Sequence, residues 1–364
     1  MKIINVAGAR PNFMKIAPLM EAFAATEGIE PMLVHTGQHY DEKMSDLFFR
    51  QLDIPEPDVN LGVGSSSHAV QTAEIMKAFE PVLLEHKPDA VLVVGDVNST
   101  IACGLVAKKL GVKLIHVEAG LRSFDRSMPE EINRLLTDSV SDLLLCTEQS
   151  GVDNLLKEGI PAERIFLVGN LMIDTLLANL QKARQSVITE ALGLEGEPFA
   201  VLTLHRPGNV DNRAELTNIL SALETIQNHL PVVFCVHPRT MNNLEEFNLA
   251  GKVRQMKNLK ITAPLGYLDF LKLLSGAKLV LTDSGGIQEE TTILKVPCLT
   301  LRNNTERPVT VETGCNRIVG TDPAAICDHF QQILNNGSAP ITTPPLWDGH
   351  AAKRITDILL QHLP

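Results

Sequence analysis

The stretch that decides the fold reads LVLTDSGGIQEE and runs from Leu279 to Glu290. Its apolar start, Leu279 to Leu281, is typical of a buried strand, and the residues after Gly286 have the pattern of a helix. Glycines between the two let a phosphate approach the backbone, and the helix N-terminus offers that phosphate free N–H groups. Glu290 follows one helical turn later, where it can reach a ribose hydroxyl. The stretch therefore predicts a phosphate-binding turn between a strand and a helix; a tight turn without a ligand is the alternative.

The same alternation of short apolar runs with longer helical patterns continues on both sides of this stretch. Strand followed by helix predicts parallel strands with crossover helices, so the predicted fold class is α/β. The pattern restarts after Gly169, which predicts two doubly wound, Rossmann-like domains, residues 1–170 and 171–364, with a helical link near Gly169–Leu180. The predicted strands are Lys2–Ala7, Pro31–His35, Ala90–Val94, Lys113–Val117, Leu143–Cys146, Arg164–Leu167, Phe199–Leu204, Val232–Val236, Leu259–Ile261, Leu279–Thr282, Cys298–Leu301 and Arg317–Val319.

Length and charge fit this division. A chain of 364 residues is too long for one compact α/β core and comfortable for two domains. The formal net charge of −11 makes nucleic acid an unsuitable partner, because binding its backbone needs a basic face. A small anionic ligand remains possible, since a few local cations and helix ends can hold one. The C-terminal stretch, Gly349 to Leu363, has the pattern of one more amphipathic helix, which can pack on the second domain or return to the first.

The cysteines and the N-terminus bear on localisation. The six cysteines are far apart and form no C-x-x-C pair, so buried free thiols are expected rather than disulfides or metal ligands. The N-terminus, MKIINVAGARP, is typical of a first strand and turn and not of a secretory signal. No stretch approaches the roughly 20 apolar residues of a membrane helix. We therefore expect a cytoplasmic protein without a membrane association.

The segment GARPNFMK, Gly8 to Lys15, directly follows the first predicted strand. In open α/β sheets, ligands bind beyond the carboxyl ends of the strands. Gly8 permits a tight turn, Arg10 follows at the strand end, and Lys15 lies one turn into the next helix. A helix start with two cations predicts an anion site, although a structural turn with a surface arginine is the alternative. The segment lacks the G-x-G-x-x-G pattern that a Rossmann dehydrogenase needs.

Carboxylates follow two further strands of the first half. Asp96 lies in GDVNST, and Glu118 lies in HVEAGLRS. MPEEINR then places Glu130 and Glu131 at a helix N-terminus, where one of them can serve the helix dipole alone. The strands before Asp96 and Glu118 are expected to be neighbours, so these carboxylates and Glu130 can share one crevice. Clustered carboxylates repel, which raises at least one pKa and favours proton transfer; metal binding is the rival interpretation.

The second half places histidines and arginines after its strands. TLHRPGN contains His205 and Arg206, and VHPRT contains His237 and Arg239. LRNNTERP follows another strand with Arg302 as its first cation. These pairs indicate anion handling, although each one alone is a weak signal.

Taken together, these segments resemble one family. The motifs GARPNFMKIAPL, TGQHYDEKMSD, GDVNST, HVEAGLRS, MPEEINR, TLHRPGNVDN, TDSGGIQEE and LRNNTERP occur in the order and register of the non-hydrolysing UDP-N-acetylglucosamine 2-epimerases, from residue 2 to about residue 320. The resemblance implies a glycosyltransferase-B type fold, two Rossmann-like domains with the active site in the interdomain cleft. It also implies a homodimer that uses neither NAD nor a metal ion, so no cofactor is expected.

The resemblance also assigns the site residues. It implies that Asp96, Glu118 and Glu130 are the catalytic carboxylates, with His205 beside them. The UDP-sugar is expected to bind the remaining residues of the matching motifs, namely Arg10, Lys15, His237, Ser284, Gly285, Gly286, Glu290 and Arg302.

The activity implied is reversible epimerisation at C2 of UDP-GlcNAc to UDP-ManNAc, for surface polysaccharide precursors. Two alternatives stay open: the same reaction on a modified UDP-sugar such as a UDP-diacetamido uronic acid, and a glycosyltransferase of the same fold. The run Arg10-Pro11-Asn12-Phe13 favours the non-hydrolysing branch, because the hydrolysing relatives tend to carry Arg-Ala-Asp-Tyr there. Tyr40-Asp41 follows Gln38-His39 where many members have a basic residue, so we expect little activation by a second substrate molecule.

Overall fold

The computed structural model describes residues 1–37, 52, 54–337 and 340–363, without the side chains of Arg10 and Asn336. The chain forms two compact units, Met1–Ala178 with Pro345–Pro364 (unit 1) and Asn179–Pro344 (unit 2). The segment Gln38–Asp41 and the side chain of Arg10, which the sequence analysis singles out, lie outside the described residues.

Unit 1 is built on a seven-stranded parallel sheet in the order β3-β2-β1-β4-β5-β6-β7. Helices cover both faces of this sheet, so its strands are predominantly apolar. Its strands are β1 Lys2–Ala7, β2 Glu30–His35, β3 Val59–Asn60, β4 Ala90–Val94, β5 Lys113–Val117, β6 Leu143–Cys146 and β7 Ile165–Leu167. Its helices are α1 Arg10–Ala24, α2 His68–His86, α3 Asn98–Lys109, α4 Pro129–Val140, α5 Gln149–Lys157 and, near the C-terminus, α16 Ala351–His362, while α6 Leu171–Ala183 leads into unit 2.

Unit 2 repeats the architecture with a six-stranded parallel sheet in the order β10-β9-β8-β11-β12-β13. Its strands are β8 Ala200–Thr203, β9 Val232–Cys235, β10 Leu259–Thr262, β11 Leu279–Thr282, β12 Cys298–Thr300 and β13 Asn316–Ile318. Its helices are α7 Ile188–Ala191, α8 Pro207–Val210, α9 Arg213–Ile226, α10 Pro238–Glu246, α11 Ala250–Gln255, α12 Tyr267–Gly276, α13 Gly285–Leu294, α14 Pro308–Glu312 and α15 Pro323–Asn336. Separate apolar clusters cover its two faces, one of them around Phe234 and Phe330 and the other around Phe199.

The C-terminal segment belongs to unit 1, which is one of the two placements left open above for the helix at Gly349–Leu363. Trp347 is buried and donates its indole N–H to the carbonyl of Thr147 at 2.9 Å. Asp174 of α6 accepts the N–H groups of Ala351 and Ala352 at 3.1 and 2.8 Å and so satisfies the N-terminus of α16. These long-range contacts explain why Leu171–Ala178 and residues 345–364 both lie with the first sheet.

Two further expectations concern cysteines and membranes. All six cysteines are free; Cys235 and Cys327 are half-buried, and the other four are buried. Of the helices within the described residues, none is long and apolar enough to span a membrane.

Candidate active site

The ends of β4 and β5 bring two of the predicted carboxylates to neighbouring positions. The strands pair in parallel, with Val94 beside Val117, so the predicted adjacency is confirmed. Asp96 follows β4 and Glu118 follows β5. Gly95 lies between them with φ +70°, and a Cβ there would lie 3.4 Å from the Glu118 carboxylate. The Cβ would make an ordinary van der Waals contact, so the positive φ explains why glycine stands before Asp96.

Glu118 occupies an unusual backbone conformation for a charged residue. Its φ is +69°, in the left-handed region, and its side chain is buried. Such backbone strain outside glycine clusters at functional sites. The carboxylate lies 2.6 Å from the ammonium of Lys15, which is also buried. Lys15 is therefore paired with Glu118, and its role in binding the UDP-sugar stays a prediction.

Asp96 also has a cation beside it. Arg134 of α4 is almost fully buried and contacts Asp96 through Nη1. Its Nη2 lies 2.6 Å from Glu131, one turn earlier on the helix. The sequence analysis expected carboxylates that repel one another, but in the structure Asp96 and Glu118 each contact a cation. Arg134 lay in the quoted MPEEINR motif, and its (i, i+3) spacing from Glu131 was the signal available.

The two glutamates of MPEEINR differ in their surroundings. Glu131 is buried and accepts hydrogen bonds from the N–H groups of Ser123 and Phe124 at 3.0 and 2.9 Å. Burial alone would raise the pKa of Glu131, but these bonds and the Arg134 guanidinium hold it below its usual value. Glu130 is half-buried in the first turn of α4. Glu131 therefore organises the loop before α4, which leaves Glu130 as the candidate for chemistry.

In unit 2, the predicted phosphate-binding turn lies at the start of α13. Ser284 is the N-cap residue, and Gly285 and Gly286 form the first turn. The Ser284 N–H donates to the hydroxyl of Thr282 at 3.0 Å. A Cβ at Gly285 would lie 3.0 Å from a carboxylate oxygen of Glu306, so this position also has little room for a side chain. The helix N-terminus leaves backbone N–H groups for an anion.

Glu290 is buried one turn further along α13. Tyr267 of α12 donates its hydroxyl to the Glu290 carboxyl at 3.1 Å. Burial raises the pKa of Glu290 to about 8, the Tyr267 hydrogen bond opposes the shift, and the charge of Glu289 adds to it. Tyr267 was missed by sequence reasoning, because no local pattern links α12 to α13.

The histidines of unit 2 come together. The rings of His205 and His237 have centroids 6.4 Å apart. His205 Nδ1 lies 3.0 Å from the fully buried carboxylate of Asp283, which also accepts the N–H of Arg206 at 3.0 Å. Burial favours protonation of Asp283, but His205 and the backbone donors lower its pKa below the usual value. Asp283 therefore fixes the His205 ring; sequence reasoning quoted Asp283 without giving it this role.

Arginines surround a second buried carboxylate in unit 2. Arg302 contacts Glu306 at 2.8 Å, and Arg206 Nη2 lies 3.6 Å from the same carboxylate. Burial would raise the pKa of Glu306, but the charges of Arg302 and Arg307 hold it far below its usual range. Arg307 in turn contacts Glu289. The predicted binding residue Arg302 is thus part of an ion-pair network next to Gly285.

The site residues therefore fall into two groups. Asp96, Glu118 and Lys15 lie at the carboxyl end of the first sheet, and His205, His237 and Ser284 lie at that of the second. Within the described part of the chain, no three His, Cys, Asp or Glu side chains are grouped so that they could hold a metal ion.

Two parallel sheets with covering helices, each with polar residues beyond its strand ends, define a two-domain α/β protein of the glycosyltransferase-B type, as predicted. The family model described as UDP-N-acetylglucosamine 2-epimerase matches residues 21–360. The chain belongs to the UDP-N-acetylglucosamine 2-epimerase family, so the predicted family is confirmed.

Relatives agree with this assignment. The UDP-N-acetylglucosamine 2-epimerase of Methanocaldococcus jannaschii is 44% identical over 364 residues, covering 99% of both chains. A crystal structure of the Methanocaldococcus jannaschii UDP-GlcNAc 2-epimerase in complex with UDP-GlcNAc and UDP has a TM-score of 0.92, covering 99% of this chain and all of that one. The UDP-2,3-diacetamido-2,3-dideoxy-D-glucuronate 2-epimerase of Pseudomonas aeruginosa is 44% identical over 324 residues, 88% of each chain.

Proposed function

We propose that the protein interconverts UDP-GlcNAc and UDP-ManNAc by inverting the configuration at C2. The observation that carries this proposal is the buried Glu118–Lys15 pair at the strand end next to Asp96. The proposal is also supported by the Methanocaldococcus jannaschii relative, which is named a UDP-N-acetylglucosamine 2-epimerase.

The chemistry explains why carboxylates and anion-binding groups are both needed. No carbonyl acidifies the C2–H bond, so a carboxylate cannot remove that proton unaided. Expulsion of UDP from C1 places positive charge on the ring, and the C2 proton can then pass to a carboxylate. The C1–O bond breaks with its electron pair on UDP, and the C2–H electrons form the C1–C2 double bond of a 2-acetamidoglucal. UDP then returns to C1 while a proton reaches C2 from the other face.

Residues of unit 1 carry the proton in this scheme. Two carriers are needed on opposite faces of C2, and we assign them among Asp96, Glu118 and Glu130. The ammonium of Lys15 lies 2.6 Å from the Glu118 carboxylate and orients it. The Arg134 guanidinium contacts Asp96 in the same way.

Residues of unit 2 hold the UDP leaving group. Negative charge grows on the diphosphate as the C1–O bond breaks, so donors placed there stabilise the transition state. We assign this role to the N-terminus of α13, residues 284–286, and to His205, with His237 and Arg302 nearby. Glu290 binds a ribose hydroxyl in this proposal.

A second substrate is favoured by one observation. The Pseudomonas aeruginosa relative, named for a UDP-diacetamido-glucuronate, is as similar in identity as the Methanocaldococcus jannaschii enzyme, although over 88% of this chain. The same C2 chemistry serves both sugars, and a glycosyltransferase remains a third and weaker candidate. In either epimerase case we propose a cytoplasmic homodimer that uses no NAD or metal cofactor and supplies sugars for surface polysaccharides.

The test is direct turnover. Purified protein is incubated with UDP-GlcNAc, with UDP-ManNAc and with the diacetamido uronic acid nucleotide, and the products are separated and identified by NMR. We expect the first two to reach the same mixture from either side, and Glu118→Gln to abolish this while Asp125→Asn, a change in a neighbouring loop, does not. Turnover of the uronic acid alone would select the second candidate, and no epimerisation of any of the three would refute the proposal.

A further inference from the structure

A second ionic cluster lies beneath the carboxylates of unit 1. His116 is a residue of β5, two positions before Glu118, and its side chain is fully buried. Its Nδ1 lies 2.6 Å from the carboxylate of Asp138, on α4. Its Nε2 lies 2.8 Å from the carbonyl oxygen of Gly95, the residue before Asp96. Both ring nitrogens therefore face oxygen atoms.

These contacts fix the protonation state of the ring. A carbonyl oxygen only accepts hydrogen bonds, so Nε2 must carry a hydrogen. Asp138 also accepts the N–H of Gly120 at 3.1 Å and lies 2.7 Å from Arg122, so it too acts as an acceptor and Nδ1 must carry a hydrogen. A histidine with both nitrogens protonated is an imidazolium cation. Burial would raise the pKa of Asp138, but His116 and Arg122 lower it.

The charges around the ring balance. Arg122 is buried and makes a two-pronged contact with Glu158, at 2.8 and 2.7 Å. Two cations, His116 and Arg122, thus face two carboxylates, Asp138 and Glu158. Two further titratable groups lie close by, Cys146 of β6 and the buried carboxyl of Glu148. Burial raises the pKa of the Cys146 thiol, so the thiol stays neutral. A buried cation is tolerable only with such pairing.

The Asp138–His116 pair connects the backbone segments that present the candidate proton carriers. His116 contacts the carbonyl of Gly95, the residue before Asp96. Asp138 accepts the N–H of Gly120, in the turn that follows Glu118. Asp138 itself lies on α4, which begins with Glu130 and carries Arg134 against Asp96. Each of the three carboxylates is therefore within two residues of this cluster or on its helix.

We propose that His116, held as an imidazolium by Asp138, is a positioning residue that fixes Asp96, Glu118 and Glu130 relative to one another. The inference rests on the proposed function, because it concerns the geometry of that reaction. Proton transfer requires carriers within hydrogen-bond reach of C2, and a misplacement of about 1 Å can cost on the order of a hundredfold in rate. His116 touches no reacting atom in this account and acts through the backbone.

The kinetic test compares two carboxylates that contact β5 residues, Asp138 beside His116 and Asp142 beside Leu114. Asp142 accepts the N–H of Leu114 and the ammonium of Lys108, both at 2.7 Å, at the opposite end of the strand from Glu118. We expect Asp138→Asn and His116→Gln to lower kcat by about ten- to a hundredfold, with KM and the Kd for UDP changed less than about twofold. Asp142→Asn should leave kcat unchanged. Equal kcat in all folded variants, or a loss confined to KM, would overturn the inference.

A measurement on the wild-type protein does not depend on variant folding. In protein labelled with ¹⁵N-histidine, the buried ring that exchanges slowly with solvent should show two protonated nitrogens at pH 7.5, and this signal should vanish in folded His116→Gln. A single protonated nitrogen would overturn the inference. Wild-type protein without epimerase activity would refute the proposed function and the positioning role with it, whereas active protein with unaffected variants would refute the inference alone.

Discussion

At the scale of the residue, the protonation of the buried Glu290 side chain links stability to pH. Its pKa is raised from 4.5 to about 8, mainly by burial, so the folded protein holds a proton there that the unfolded chain releases. A raised pKa of the folded state contributes stability that is complete below pH 4.5 and is lost as the pH rises towards 8. Each pH unit inside this window costs up to about 1 kcal/mol.

We therefore expect the free energy of unfolding of the wild type, relative to Glu290→Gln, to fall as the pH rises from 5 to 8. Glutamine resembles the protonated carboxyl and can still accept the Tyr267 hydroxyl, so the variant lacks this titration. Urea unfolding at several pH values measures the difference. Parallel stability curves for the two proteins would contradict the assignment of the raised pKa.

Residue roles were predictable only in part. Asp96, Glu118 and Ser284 follow directly from the rule that ligands bind at the carboxyl ends of parallel strands. The Lys15–Glu118 contact joins residues 103 positions apart, and no periodicity encodes it. The same holds for Asp138, whose role depends on where α4 packs against β5.

At the scale of the element, the turn after β5 packs directly against α5. Gly120 has φ +79°, and a Cβ there would lie 2.2 Å from the carbonyl oxygen of Gly151. Gly111 also has a positive φ, +76°, but nothing lies within 4 Å of its Cβ position. Substitution by alanine would place a side chain on a left-handed backbone at both positions, but only at Gly120 would the new Cβ clash with a neighbouring atom.

Gly111→Ala should therefore cost about 1–2 kcal/mol of unfolding free energy, for the left-handed conformation alone. Gly120→Ala should cost about 1–3 kcal/mol more, because α5 must shift away. Urea titrations of both variants supply the comparison. Similar losses at the two positions would show that the β5 turn and α5 are not in tight contact.

Strands with a continuous apolar run were predicted well, whereas elements without a clear pattern were missed. Apolar runs located twelve of the thirteen strands to within a few residues, because a buried parallel strand needs a continuous apolar segment. Strand β3, Val59–Asn60, is too short to show such a run. The short helices α7, α8, α11 and α14 were not predicted either, since four to six residues display too little of a helical period.

At the scale of the whole molecule, α16 closes unit 1 from the end of the chain. Because Asp174 satisfies two N–H groups at its N-terminus, Asp174→Ala should lower the free energy of unfolding by about 1–3 kcal/mol. Asp174→Asn keeps an acceptor and should lose less. Trp347 is the protein's single tryptophan and is buried in unit 1, so its fluorescence during urea unfolding reports this change. An unchanged midpoint in Asp174→Ala would exclude this role for Asp174.

The division into two units could be predicted from the restart of the strand–helix pattern, but the return of the chain could not. The amphipathic pattern at residues 349–363 predicts a helix with one buried face, but it does not identify the domain against which that face packs. Only the contacts of Trp347 and Asp174 decide that, and both are made with residues more than 170 positions away.

In the proposed reaction, the sugar passes through an intermediate that has lost its C2 hydrogen. NMR of the purified protein with UDP-GlcNAc in deuterated water detects this loss. We expect deuterium to enter C2 of both UDP-GlcNAc and UDP-ManNAc as the mixture approaches equilibrium. Formation of UDP-ManNAc with its C2 hydrogen fully retained would refute this mechanism.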